Sequence, residues 1–358
     1  MTASSRPFAE APTPSHRKAP RSRLLGISGF ALLAVTVLWL AGVVGGTPQA
    51  VQLVLVTAAL AAIAFAVSQG VSSVHDWAVP LLLVGGALLF GYLRYEAFFR
   101  RGPGQPLGYS NATGALYLLA AAAALQLLAR ARTRPGRLLG LFAALAFAGI
   151  PWLIGTISAG VLLCLLPLGL LARGRKGVRR CIVAGASAIV LTLGVAVALG
   201  STYDPATRDG WTEGLAARSL SERRLMLWGD ALQMVREHPV SGVGLGRFPE
   251  VSPTALANAD TRWPHNEPLH LGAEAGLPGL LLLLMLYGWG FASLWWEGDD
   301  GAAAVGALAL AAVAVQANID YILHFPAVVG MLATTVGAGT RRSLRHARTY
   351  GPSRVYRR

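Results

Sequence analysis

Charge is what this sequence has least of. Of its 358 residues only 13% are Asp, Glu, Lys or Arg, against about 25% in an ordinary soluble domain. Cysteine is nearly absent as well. The two present, Cys164 and Cys181, lie in apolar runs, which argues against a disulfide framework. Metal-binding patterns are missing too: there is no HExxH and no paired-cysteine spacing. A zinc site from His238, His265 and His270 is conceivable, but without such a spacing neither a metal nor another cofactor is expected. What is abundant is apolar sequence, 54% of the chain, with a mean hydropathy of +0.52. That balance points to a membrane protein that crosses the bilayer several times.

The formal net charge of +14 invites a nucleic-acid reading until the charges are placed. Most of the 31 lysines and arginines fall in four short groups, at 6–23, 130–137, 173–180 and 341–358, and each group flanks an apolar run. This is the pattern of the positive-inside rule, so the basicity sets orientation and no nucleic-acid partner is expected. A crossing helix needs about 20 apolar residues. The chain offers about ten candidates, near 24–46, 49–69, 77–95, 113–130, 138–153, 158–172, 181–200, 277–296, 301–319 and 321–340. Leu24 to Val44 is too long for a signal peptide and has no convincing cleavage site, so it reads as an uncleaved first span.

With the first basic group inside, the three later groups all fall on the same side. The resulting expectation is an all-α membrane protein of about ten transmembrane helices with one large, partly helical extracytoplasmic loop. Its parts are a basic cytoplasmic tail (1–23), spans one to seven (24–200), the loop (201–276), spans eight to ten (277–340) and a second basic cytoplasmic tail (341–358).

The loop gathers polar chemistry that the rest of the chain avoids. It holds Arg223, Arg224, Arg247 and Arg262 among its arginines, while Arg94, Arg100 and Arg101 fall in another connection on the same side. The rule disfavours basic residues there, so as a group these arginines suggest an anionic ligand. Ser219-Leu-Ser-Glu222 has the form of a capping box and predicts a helix to about Glu237, ended by Pro239. Trp228, Ala231, Leu232 and Val235 give that helix an apolar stripe. Arg224 and Trp228, four apart, share a face. A second helix is expected after Asn266, with Pro268 in its first turn and an end near Gly276.

Three motifs carry candidate chemistry. Gly242, Gly244 and Gly246 would let backbone amides approach a phosphate, or would simply make a flexible turn after a helix. His265, next to Asn266 at the membrane boundary, could take a proton from a hydroxyl nucleophile, or be only a polar residue at that boundary. Asp320 and His324 lie four apart at the start of the last span, and read either as an inter-helix pair or as a proton relay.

Taken together, these stretches resemble the O-antigen ligase and polymerase superfamily. The resemblance rests on Arg224-Leu-Met-Leu-Trp228-Gly-Asp-Ala231 and on His238-Pro239-Val-Ser-Gly242-Val-Gly244-Leu-Gly246-Arg-Phe248. It extends to His265-Asn266-Glu-Pro-Leu269 with Glu274-Ala-Gly276, to Asp320-Tyr-Ile-Leu-His324-Phe-Pro326, and to Tyr109-Ser-Asn111-Ala. It implies an inverting, metal-independent glycosyltransferase. The donor would be a glycan on undecaprenyl diphosphate and the acceptor a hydroxyl of a lipid, sugar or protein, outside the bacterial cytoplasmic (inner) membrane.

His265 would then be the catalytic base and Arg224 the diphosphate contact, with Arg223, Arg247, Arg262 and Arg101 as unaligned candidates for the same work. Trp228, Asn266, Gly244, Gly246, Glu274, Asp320 and His324 would support them. One departure is visible: Ala159, in Thr156-Ile-Ser-Ala159-Gly160, stands where the superfamily usually has a second arginine. A repeat-unit polymerase of the same superfamily is the nearest alternative. A membrane transporter or lipid-glycan translocase is the alternative of another class.

Overall fold

The computed structural model of the protein describes residues 21–71, 78–93, 107–203, 222–257 and 262–340. Among the described residues all regular structure is helical, and the one β-type contact is an isolated bridge between Gly46 and Leu245. The main helices are α1 (Arg21–Val37, continued as a π-helical stretch Leu38–Val44), α2 (Pro48–Val71), α3 (Ala78–Leu93), α4 (Ser110–Arg130) and α5 (Arg134–Ala148). They continue with α6 (Gly174–Thr202), α7 (Glu222–Glu237), α8 (Glu267–Glu297), α9 (Gly301–Ala317) and α10 (Pro326–Gly339).

Among the described residues, six helical segments are long and apolar enough to cross a membrane: Leu25–Val44, Pro48–Ser68, Ser110–Arg130, Arg134–Leu153, Gly174–Thr202 and Glu267–Glu297. Shorter apolar segments, Ala78–Leu89, Ser158–Leu171, Gly301–Ala317 and Pro326–Gly339, occupy the places of the other four expected spans. Large apolar side chains such as Ile63, Phe142, Val190 and Leu191 point outward from the bundle. A water-soluble protein would not leave so many exposed. The protein is a multi-pass membrane protein.

The centre is built from the smallest side chains. Helices α4 and α9 are buried nearly from end to end by alanine, glycine and leucine. Small residues let helix backbones approach closely where lipid supplies no hydrophobic drive. Gln126, fully buried in α4, donates through Nε2 to the carbonyls of Ala302 (3.1 Å) and Thr335 (3.0 Å), tying three helices together.

Two features differ from the sequence expectation. The sixth apolar run is not one helix but two short pieces, Ile157–Leu163 and Leu168–Leu171, with tight turns between. Pro167 lacks an amide and its ring crowds the preceding turn, which stops the helix. Arg130, grouped above with the orientation-setting charges, is instead buried and ion-paired with Asp300 at 3.0 Å. Its guanidinium also donates to the Ala338 carbonyl.

That clamp gathers the ends of α4, α8, α9 and α10 at one end of the bundle. The opposite end collects the Gly45–Thr47 turn, Tyr109, α7, the start of α8 and the α9–α10 connection. There Thr47 donates its amide to the Leu245 carbonyl at 2.9 Å, and the Leu245 amide donates to the Gly45 carbonyl at 3.0 Å.

Candidate active site

Helix α7 forms as its sequence dictates, from Glu222 to Glu237 and ending before Pro239, with Leu225, Leu227, Trp228, Ala231 and Met234 buried. Ser219, the cap expected for it, lies outside the described residues. Gly200 of α6 allows the close approach, since a β-carbon there would stand 2.8 Å from that of Trp228. Leu232 and Val235 are only partly buried, so the apolar stripe is rotated from the expected one toward Leu225 and Met234.

Two anchors flank His265. On one side the Trp228 indole donates from Nε1 to the Pro264 carbonyl at 2.6 Å. On the other, fully buried Asn266 caps α8, accepting from the Leu269 amide at 3.0 Å while its Nδ2 donates to the Asn318 carbonyl at 2.6 Å. Between these fixed points His265 adopts φ 51°, the one positive value at a non-glycine among the described residues. A backbone in the left-handed region costs energy for histidine, and such strain concentrates at functional positions.

The ring so placed meets Asp320. His265 Nδ1 lies 3.2 Å from Asp320 Oδ1, with side-chain exposures of 14% and 3%. The same carboxylate oxygen accepts from the Tyr109 hydroxyl at 2.6 Å and from the Tyr321 amide at 2.8 Å. Its other oxygen accepts from Asn111 Nδ2, which also donates to the Tyr109 hydroxyl at 3.2 Å. The Tyr109 hydroxyl in turn lies 3.4 Å from His265 Nδ1. The Tyr109 ring stacks on Tyr321, centroids 4.6 Å apart.

Burial pushes the Asp320 carboxyl up, but hydrogen bonds from His265 and Tyr109 and the nearby imidazole outweigh it and hold the group below the usual carboxylate range. Burial and the adjacent Asp320 charge push the Tyr109 phenol well above its ordinary value. The result is a fixed carboxylate behind an imidazole, with a neutral phenol beside both.

Arg224, on α7, reaches the same turn. Its NH1 donates to the Ile319 carbonyl at 3.5 Å, one residue from Asp320. Among the four described candidate arginines it is the one seen at the His265–Asp320 turn. Arg247 is exposed and pairs with Glu250 at 3.3 Å, while Arg223 and Arg262 are exposed on the surface. Arg94, Arg100 and Arg101 lie outside the described residues. Sequence spacing alone could not rank these arginines, because it does not tell which one faces the α9–α10 turn.

The glycine run is a satisfied turn and not a phosphate cradle. The Val243 and Gly244 amides donate to the Ala273 and Glu274 carbonyls, both at 2.9 Å. The Gly246 and Phe248 amides donate to the Glu274 carboxylate at 2.8 and 3.0 Å. An internal carboxylate thus occupies the place offered to an anion. The run is held against a break in α8 at Gly276 (φ 69°, ψ −175°), where a β-carbon would meet the Val240 carbonyl oxygen at 2.3 Å.

His324 does not join Asp320 in a relay. Its Nδ1 lies 3.0 Å from Glu267 Oε1, which also accepts from the Leu323 amide at 2.8 Å. Burial pushes the His324 imidazole down, but the Glu267 charge and its hydrogen bond outweigh this and hold it above its ordinary value. Among the described residues, the group of side chains able to hold a metal is Glu267, His270 and His324, not His238, His265 and His270. Of these, the sequence reading names His270, but with His238 and His265 as its partners, and passes over Glu267. The signal for the pair was Glu-x-x-His at the start of a helix, which puts both on one face.

Ala159 is completely buried in the core. It packs where a β-carbon on Gly114 would come within 3.1 Å of its own and 2.4 Å of Thr156 Oγ1. Helix α4 therefore leaves no room for a longer side chain at 159.

Residues 152–284 match the family model described as O-Antigen ligase. The match covers Ala159, Arg224, Trp228, Glu274 and His265, while Tyr109, Asn111 and Asp320 lie beyond its bounds. It supports the O-antigen ligase/polymerase superfamily. No curated protein matches the chain.

Proposed function

We propose that this protein is a membrane glycosyltransferase of the O-antigen ligase type, with His265 as the base of the transfer. The observation that carries the reading is the His265–Asp320 pair at 3.2 Å, buttressed by Tyr109 and Asn111 and bordered by Arg224. The superfamily match supports the donor class, a glycan on undecaprenyl diphosphate, and the apolar bundle supports a lipid-linked substrate.

In the mechanism, Asp320 accepts a hydrogen bond from His265 Nδ1–H, which fixes the tautomer and leaves the lone pair on Nε2. Nε2 takes the proton of the acceptor hydroxyl as its oxygen attacks the anomeric carbon. The bond from that carbon to the diphosphate oxygen breaks, and the leaving lipid diphosphate carries away the electron pair. Attack from the face opposite the leaving group inverts the anomeric centre. Asp320 stabilises the imidazolium that forms, and Arg224 offsets charge growing on the leaving diphosphate with a forked donor set. No step calls on a metal. The site belongs at the extracytoplasmic face of the cytoplasmic membrane, with both termini inside.

The acceptor distinguishes a ligase from a repeat-unit polymerase, because both use the same donor chemistry. Mass spectrometry of envelope glycans from a deletion strain separates them. Accumulated lipid-linked chains indicate the ligase and accumulated single repeat units the polymerase. Purified protein in vesicles that moves solute without transferring glycan would overturn both in favour of transport.

A further inference from the structure

The cluster of Glu267, His270 and His324 takes no part in the transfer just described, yet it is better organised than a chance meeting of polar groups. Glu267 and His270 stand three residues apart on the first turns of α8 and so face the same way. His324 comes from the turn Ile322–His324 across from them. The imidazoles of His270 and His324 stack with centroids 5.0 Å apart and planes 19° from parallel. One ligand atom from each of the three residues lies within 4.8 Å of the others. Glu267 and His270 are buried, at 6% and 3% exposure.

A second, independent observation concerns His270. Its buried Nε2 does not meet hydrogen-bond geometry; what faces it is Glu274 Oε1, a contact at 3.1 Å to an oxygen that also accepts from the Phe248 amide. All three side chains also border a cavity of about 590 Å³, which leaves space beside the cluster for an ion and a bound water.

We infer that Glu267, His270 and His324 form a binding site for a divalent cation of the zinc class. Two imidazole nitrogens and one carboxylate oxygen are the donor set such ions prefer among first-row metals. Tetrahedral bonds of about 2.0–2.1 Å put neighbouring ligand atoms ~3.4 Å apart, so closing the present spacing needs side-chain movement of about 1 Å. Three protein ligands leave a fourth position open toward the cavity for water. The ion clips the start of α8 to the α9–α10 connection, two residues from His265 and four from Asp320. Its role is to position that connection, and it stands apart from the proton transfer at His265.

Tag-free full-length protein in nanodiscs, stripped with a chelator and equilibrated with zinc chloride, tests this through bound zinc measured by mass spectrometry. The expected result is one zinc per chain, with affinity at least tenfold weaker in both His324→Ala and Glu267→Gln. His238→Ala, which removes an exposed histidine outside the cluster, should bind as the unaltered protein does. His270→Asn, checked as a single monodisperse species, serves if either variant fails to fold. Absence of stoichiometric zinc, or zinc held equally by the cluster variants, overturns the site and leaves a metal-free pair between Glu267 and His324. Binding is read without any glycan, so its failure is separate from failure of the glycosyltransferase reading.

Discussion

His265 and Asp320, 55 residues apart in the chain, face each other with Nδ1 and Oδ1 3.2 Å apart. Neither residue alone distinguishes a catalytic site from a polar boundary of the membrane. The pair supports the proposed catalytic role, because a buried carboxylate behind a ring held at a strained backbone position fixes which nitrogen is left for a substrate.

His265→Ala should abolish glycan transfer at normal expression, with kcat falling by about 10²-fold or more. Transfer from a lipid-linked donor, measured in membranes matched for protein content, checks this. Full activity would remove His265 from the role of base.

Asp320→Asn should lower kcat with little change in donor KM, since it disturbs ring orientation and not donor binding. It should also change acid stability in a defined direction. The folded Asp320 carboxyl titrates below its unfolded value. Its stabilisation is therefore present above the ordinary carboxylate range and is lost as pH falls through the depressed value. Thermal unfolding between about pH 7 and about pH 3 should show the gap between the unaltered protein and Asp320→Asn closing toward acid. A gap that widens there would contradict the assignment.

Arg224→Lys should raise donor KM by about tenfold or more, because an ammonium does not reproduce a two-pronged contact with phosphate. The equivalent change at Arg247, which is exposed and paired with Glu250, should have little effect. Donor affinity unchanged in Arg224→Lys would take this residue out of the site.

Ala159→Arg, which writes the usual superfamily residue back into the chain, should destabilise the protein by roughly 3 kcal/mol or more and not raise activity. Ala159 has no exposed surface and α4 packs directly against it at Gly114. A variant that is as stable as the parent and more active would show that this packing yields.

The helices were legible because a crossing segment must be apolar over about 20 residues, a requirement no local detail can hide. The break within the sixth run was less so, although Pro167 marks it, since composition there stays apolar throughout. His265 and Arg224 stood out by residue type in a chain poor in charge. Tyr109 and Asn111 emerged through resemblance alone, because what makes them part of the site is a meeting with Asp320 more than 200 residues away. Of the two readings the glycine run left open, the structure has the turn: its amides are open in sequence, but in space backbone carbonyls and the Glu274 carboxylate already accept from them.

Gly276→Ala should destabilise the loop-bearing end by roughly 1–3 kcal/mol, since alanine is strained at this positive φ and its β-carbon collides with the Val240 carbonyl. Faster limited proteolysis between α7 and α8 would accompany a lower melting temperature, and neither should occur if the break tolerates a side chain.

The carboxylate of Glu274 carries a last consequence. By holding the Gly246 and Phe248 amides against α8, it supplies from within the chain the negative charge that a substrate would otherwise have to bring to this turn. The turn is therefore ordered without a ligand. Under the glycosyl transfer proposed above, little of the donor's binding energy would go into ordering it, and the site beside it would keep one geometry whatever sugar the donor carries.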